Sequence, residues 1–269
     1  MAGNLGGRSV AGLLVLTLAA TACGYDNPGS PTGPGTGDTP GVAVRVGSRV
    51  FVASGDLTQA LATFRAALGD SVNRAPGEQA SGRREINWDG VAGALLNVDS
   101  FPGDFFNRVV PRGQIFTTEG TGFRVSDNAL ADLTPAYARQ FAAFSPTKIF
   151  VAVGSSVLTV HFVVAGSTAP ALVNGFGVVF SDVDRQHGTT VALFDTRGRL
   201  LRTVSAPVRS DAAGFSFVGV TFSVPVVARV RIVSGEAAIT GANSDISDRG
   251  HADLVAMDDF ISGEPHAIR

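Results

Sequence analysis

Near its C-terminal end the chain reads ADLVAMDDFISGEP, Ala252 to Pro265. Asp258 and Asp259 stand side by side inside an apolar run of strand composition. Neighbouring carboxylates can divide acid and base roles or hold a metal ion, provided they point the same way. On a regular strand, consecutive side chains point to opposite faces. The expectation is that one of the two faces water and the other points inward. That argues against a glycosidase-type acid and base couple at this motif. An inward carboxylate needs a partner. For Asp259 two kinds are open: an arginine or turn amides, or a calcium ion, which takes about six to eight hard oxygens. In a calcium site, Asp89 in NWDGV is the natural early partner, since first and last strands are often neighbours in jelly rolls. Asp182 and Asp184 in FSDVD are the second choice, because residues at i and i+2 share a face while a strand persists.

Other spacings carry less. The stretch GANSDISDRGHAD, 241–253, is rich in Asn and Asp, but Asn243, Asp245 and Asp248 miss the alternate spacing of an EF-hand loop. It reads as a solvated loop. His161, His187, His251 and His266 are scattered without a second His or Cys at zinc-ligand spacing. No G-x-S-x-G elbow occurs, so the chain is read as non-catalytic, with a hydrolase as the remote alternative. Trp88 is the only tryptophan. Exposed beside Asp89 it would make a sugar-binding platform; the competing reading is core packing, in keeping with eighteen phenylalanines.

The only cysteine, Cys23, follows Val10 to Ala22, an apolar stretch of signal-peptide length behind Arg8. Small residues before a lone cysteine, as in ATAC, resemble the lipobox of bacterial lipoproteins, although Ala20 stands where leucine is usual. The resemblance implies cleavage before Cys23 and acylation of its thiol and new amine. Two or three acyl chains hold a protein firmly on a membrane. Residues 24–41 are Gly, Pro, Thr, Asp and Ser with hardly an apolar side chain, the composition of a tether. The expected order is a signal peptide at 1–22, a tethered segment at 23–41, a folded domain at 42–265 and a short tail at 266–269.

The domain must position any site, and its composition suits β structure. Charged residues make up 16% and hydrophobic residues 45%, with thirty-three glycines for turns. A net charge of −2 gives no attraction to nucleic acid. Two helices are expected, one in DLTQALATFRAALGD with Asp56 and Gln59 as a capping box and Gly69 at its end, and one in TPAYARQFAAF with Thr134 as N-cap and Pro135 at the first position. Strands are expected in KIFVAVG, SSVLTVHFVVAG, NGFGVVFSDVD, TTVALFDTRGRLLRTV (a hairpin around Gly198), GFSFVGVTFS, VVARVRIVSG, EAAIT and DLVAMDDFIS. Many short strands at regular intervals predict an all-β fold, a two-sheet jelly-roll sandwich.

Taken together, REINWDGV, PRGQIFTTEGTGFRVS, NGFGVVFSDVD, FSFVGVTF, ARVRIVSG and VAMDDFISGEP resemble a group of secreted bacterial β-sandwich proteins. Its members carry lipoprotein cysteines or C-terminal sorting tails of the PEP-CTERM kind. The resemblance spans Arg84 to Pro265 and implies location and fold without lending catalytic residues. This chain stops at EPHAIR with no hydrophobic tail, so the N-terminal lipid is expected to take that role. The function expected is that of a lipid-anchored extracytoplasmic binding module in the bacterial envelope. A polysaccharide or matrix polymer is its expected ligand and calcium its expected ion. The alternative is an interaction partner for an envelope protein.

Overall fold

The computed structural model describes residues 47–269. Cys23, the signal peptide and the tether lie outside the described residues. In chain order the strands are β1 (Ser48–Ser54), β2 (Arg83–Ile86), β3 (Gln114–Thr118), β4 (Gly122–Ser126), β5 (Ile149–Val153), β6 (Val157–Phe162) and β7 (Ala171–Leu172). They continue with β8 (Gly175–Ser181), β9 (Thr190–Phe194), β10 (Leu200–Ser205), β11 (Phe215–Phe222), β12 (Arg229–Val233), β13 (Ala256–Gly263) and β14 (His266–Ala267). Three short α-helices interrupt them: α1 (Thr58–Leu68), α2 (Phe105–Arg108) and α3 (Tyr137–Gln140). Among the described residues no helix is long and apolar enough to cross a membrane.

The strands form an all-β sandwich. The larger sheet runs β1-β11-β8-β13-β5-β4, with β2 added to β13. The smaller runs β10-β9-β12-β6-β3. Every strand pairing is antiparallel. Alternation explains the inner faces: on β6, Leu158, Val160 and Phe162 are buried in the central core, and on β12 so are Val230 and Ile232. Arg229 on the outer face of β12 lies over the Phe194 ring, 4.0 Å from its centroid.

The expected hairpin is β9–β10. Its turn has Gly198 at a φ of 73° and an Asp195 carboxylate that accepts the amides of Arg197 and Arg199, both at 2.9 Å. Two expected elements differ. EAAIT, 236–240, is not a strand, and helix α3 falls short of the stretch expected for it; the short tail at 266–269 carries β14, which pairs with β7.

Helix α1 covers the outer face of the larger sheet. The expected capping box does not form: Asp56 Oδ1 accepts the Thr58 amide at 2.9 Å in a turn ahead of the helix, the N-cap is Leu57, and Gln59 reaches Thr63. Leu61, Phe64 and Leu68 face the sheet in the spacing the sequence shows. Phe64 sits where Gly177 of β8 and Gly219 of β11 pair across the ladder. A Cβ at Gly177 would lie 2.6 Å from the Phe64 ring, and one at Gly219 2.7 Å. The two glycines therefore form the notch that seats the helix. Helix α3 is shorter than expected. It begins at Tyr137, and Thr134 supplies its carbonyl to the Tyr137 amide at 3.1 Å rather than a hydroxyl cap.

Candidate functional site

The paired aspartates sit on a β-bulge. Met257 of β13 pairs with Phe180 of β8, while Phe260 pairs with Val178. Asp258 and Asp259 together therefore occupy the place of a single residue. Met257 and Phe260 both point into the central core, and the two aspartates between them leave on the other face. The expectation that strand alternation would oppose them is overturned, since the extra residue breaks the period of two. The bulge is held from inside by Trp88, whose Nε1–H donates to the Asp258 carbonyl at 3.0 Å.

On the outer face Asp258 Oδ2 accepts the amides of Phe144 at 2.6 Å and Ser145 at 3.2 Å. The Ser145 hydroxyl lies 3.0 Å from Asp258 Oδ1 and 3.1 Å from the Asn87 carbonyl. Asp259 lies 3.7 Å from Arg65, the arginine partner left open by the sequence. Burial, followed by the neighbouring Asp259 charge, pushes the Asp258 carboxyl up. Burial pushes Asp259 up as well, against the pull of Ser145 and Arg65.

Trp88 is not a ligand platform. It is 1% exposed and stacks on Phe150 with centroids 4.0 Å apart and planes 7° apart. Phe106 and Phe260 meet it edge-on at 5.2 and 5.3 Å. Its indole is largely apolar, and the β13 bulge offers the one acceptor its N–H needs, so burial satisfies the whole side chain. Asp89 does not join Asp259 in an ion-holding set. Its carbonyl, with that of Val91, takes the Lys148 ammonium at 2.6 and 2.9 Å. The charged groups acting on Asp259 are Arg65, Asp258 and Glu85.

The carboxylates that do converge are Asp182, Asp184 and Asp245, each offering an oxygen within 4.8 Å of the others. Strand β8 ends at Ser181, and Asp182 takes a φ of 71°. Left-handed backbone, not a persisting strand, brings Asp182 and Asp184 to one place. Asp182 is fully buried, and neither of its carboxylate oxygens has a partner; Asp184 Oδ1 has none either. Gln140 at the end of α3 is 3% exposed, and both of its amide atoms are unpartnered. Its side chain lies close enough to the Asp182 carboxyl to lower its pKa as a donor would, although the two do not meet at the distance and angle of a hydrogen bond.

Asp245 comes from the stretch that reads as a solvated loop, yet it is fully buried. Its Oδ1 accepts the Leu254 amide and its Oδ2 the Ser247 amide, both at 2.7 Å. A turn of 3-10 helix at Ile246–Asp248 follows it. Asp253 braces the other side. Its Oδ2 accepts the Arg185 amide at 2.9 Å, and both its oxygens lie 3.2 Å from the Asp184 amide.

Burial first, and then repulsion from Asp184, Asp245 and Asp253, raises the Asp182 carboxyl to about 8. Burial and the Asp245 charge raise Asp184 to about 6. Burial also raises Asp253 to about 6 against the pull of the Arg185 and Asp184 amides. Among the described residues no Lys, Arg or His forms an ion pair with any of these four acids.

A second buried polar centre has no counterpart in the sequence reading. Arg84 of β2 and Glu264, just past β13, pair at 2.6 and 2.8 Å with side chains 0% and 1% exposed. Arg84 also donates to the carbonyls of Ala75, Gly77 and Pro111, while Glu264 accepts from Asn73 and the Gln79 amide. Every contact goes to the chain itself, so this pair pins the 71–82 loop to the sandwich.

The sequence matches no protein-family model and no curated protein. Among solved structures, the chain is similar to the crystal structure of the enzymatically active domain of bacteriophage CBA120 tailspike protein 4, at 16% identity and a TM-score of 0.29. That match covers 65% of this chain and 22% of the tailspike chain.

Proposed function

We propose that the chain is a lipid-anchored extracytoplasmic module whose sandwich binds a ligand without transforming it. Support for the anchor is the order of segments, a leader at 1–22, Cys23, a tether to Gly41 and then the β domain. Support for binding over catalysis is how the buried charges are spent. Glu264 holds Arg84, Asp258 holds two turn amides, and Asp253 holds the Asp184 and Arg185 amides. Groups committed to the chain's own backbone build a scaffold, whereas a reacting group has to stay free to meet substrate; the acids that do stay free, Asp182 and Asp184, cluster with Asp245 in the arrangement of an ion site. The ligand class that fits the surface location is a polysaccharide or other matrix polymer. With Trp88 and Tyr137 both 1% exposed, it would be gripped by polar loop groups rather than stacked on these rings.

The anchor is tested by feeding an alkyne analogue of palmitate to cells making the full chain. Label and membrane association are expected on the wild type, and Cys23→Ser should lose both. An unlabelled wild type, or a serine variant that still sediments with membranes, would reject the lipid. Insoluble polysaccharides should retain the full chain without releasing soluble sugar. Release of fragments would point to a hydrolase instead.

One observation favours a protein partner as a second reading. Val50 and Val52 on β1 lie across the ladder from the buried Val220 and Val218, yet they are 37% and 50% exposed. They stand on the inner face of an edge strand, beyond the reach of the smaller sheet. An edge with exposed valines suits an added strand from an envelope protein. Photo-crosslinkers at these two positions would capture that partner.

A further inference from the structure

We propose that a calcium ion binds between Asp182, Asp184, Asp245 and Gln140, joining α3 and the 241–253 loop to the end of β8. The acidic triad alone would not carry this. The independent observation is Gln140. It is a neutral side chain, 3% exposed, on a different element, with neither its oxygen nor its nitrogen hydrogen-bonded. A buried amide costs free energy when unpaired. Its amide lies against Asp182, and turning that amide presents its oxygen as a ligand once a cation sits between them.

Asp182 makes the same demand, since both of its oxygens are buried and unpartnered while no cationic side chain pairs with it. The spacing also fits. Calcium–oxygen bonds of about 2.3–2.6 Å put ligands on opposite sides of the ion about 5 Å apart. The three carboxylates offer oxygens all within 4.8 Å of one another. Two oxygens from Asp182 and one each from Asp184, Asp245 and Gln140 leave room for backbone or water to complete about six to eight ligands. Asp245 can join while keeping its amide bonds, because each carboxylate oxygen has a second lone pair. An all-oxygen set with no His or Cys disfavours zinc and copper. A set held in three separate segments suits calcium's adaptable shell better than the strict octahedron of magnesium. This inference does not depend on what the module binds or on how it is anchored.

The test uses the full-length chain purified in detergent. Terbium, a calcium-sized lanthanide, is added and its luminescence is excited through the protein's aromatic rings. Tyr137, whose hydroxyl lies within hydrogen-bond reach of the Asn243 and Thr240 carbonyls beside the Asp245 loop, is the expected sensitiser. Calcium should displace terbium and raise the melting temperature by several degrees over chelator, and an equal concentration of magnesium should do less. Asp182→Asn should abolish both responses while still folding in chelator, because asparagine keeps the shape of the carboxyl but lacks its second ligand oxygen. Gln140→Leu should weaken calcium binding without loss of fold. Asp89→Asn should leave both responses intact. Identical melting with calcium and chelator, a calcium response that survives Asp182→Asn, or an equal magnesium response would overturn the assignment.

Discussion

Replacing Glu264 by alanine is expected to destabilise the sandwich by about 3–5 kcal/mol, the usual cost of breaking one side of a buried ion pair. The reason is what stays behind. The Arg84 side chain is 0% exposed and has no route to water when its carboxylate is removed. Three carbonyls would still accept from it, but none neutralises it. The Asn73 side chain and the Gln79 amide lose their acceptor in the same step. Glu264→Gln keeps the shape but not the charge and should fall between alanine and wild type. Urea unfolding measures this directly as a lowered midpoint at unchanged slope. A loss under about 1 kcal/mol for the alanine variant would mean that the loop relaxes and rehydrates the guanidinium, and the pair would then not be the pin it is taken to be.

Asp258 gives the second large effect, and its signature is pH. A hydroxyl has one hydrogen. Ser145 lies within reach of two acceptors, and the Asn87 carbonyl can only accept, so Ser145 donates there. Asp258 Oδ1 can only share that one hydrogen at 3.0 Å, too little to offset a buried charge, so the carboxyl keeps its proton above the usual carboxylate range. Burial first, and then the Asp259 charge, raise the Asp258 carboxyl to about 8, against the pull of the Phe144 and Ser145 donors. The unfolded carboxyl ionises near about 4. Between about 4 and about 8 the folded chain binds the extra proton, so stability is complete below that window and falls as pH rises through it. The slope is at most about 1.4 kcal/mol per pH unit for one proton.

Asparagine copies the protonated acid. Its oxygen accepts the Phe144 and Ser145 amides, and its NH₂ donates to Ser145. Asp258→Asn should therefore fold, flatten this part of the slope and exceed wild type in stability at pH 8. Asp258→Ala should cost about 1–3 kcal/mol at low pH, since two amides lose their acceptor, and the deficit should shrink as pH rises because only the wild type loses stability through this group. Asp182, Asp184 and Asp253 tilt the curve in the same sense, but they are common to both proteins, so the difference reports Asp258 together with its coupled neighbour Asp259. A slope unchanged by asparagine would sink the protonated-acid account.

The sandwich was legible where a strand obeys its own period. Strands β6, β9 and β12 alternate cleanly, and Gly198 marks the turn between β9 and β10. Strand β2 was not, because RREI reads as surface until Glu264 is seen to meet Arg84. Helix α2 is too short to show a period, and its Phe105 and Phe106 reach the core from a four-residue turn.

The candidate site was half legible. FSDVD marks itself by spacing, and Asp182 and Asp184 do come together, although through a left-handed residue instead of a strand face. Asp245 and Gln140 come from segments far apart in the chain. No local spacing rule links them, and a template drawn from one continuous loop passes over Asp245. The bulge at Asp258 and Asp259 was hidden for the opposite reason. Two adjacent charges within an apolar run were the only visible sign that the alternation had slipped by one.

Strand β13 pairs with β2, β5 and β8, and all three precede it in the chain. The middle of the larger sheet therefore cannot close until this late segment has been made. Until then β8 and β5 present bare ladder edges and an open aromatic interior. Such a nascent chain has much to gain from being held unfolded until synthesis is complete, and assembly of the sheet is expected to be slow and all at once, not progressive from the N-terminus.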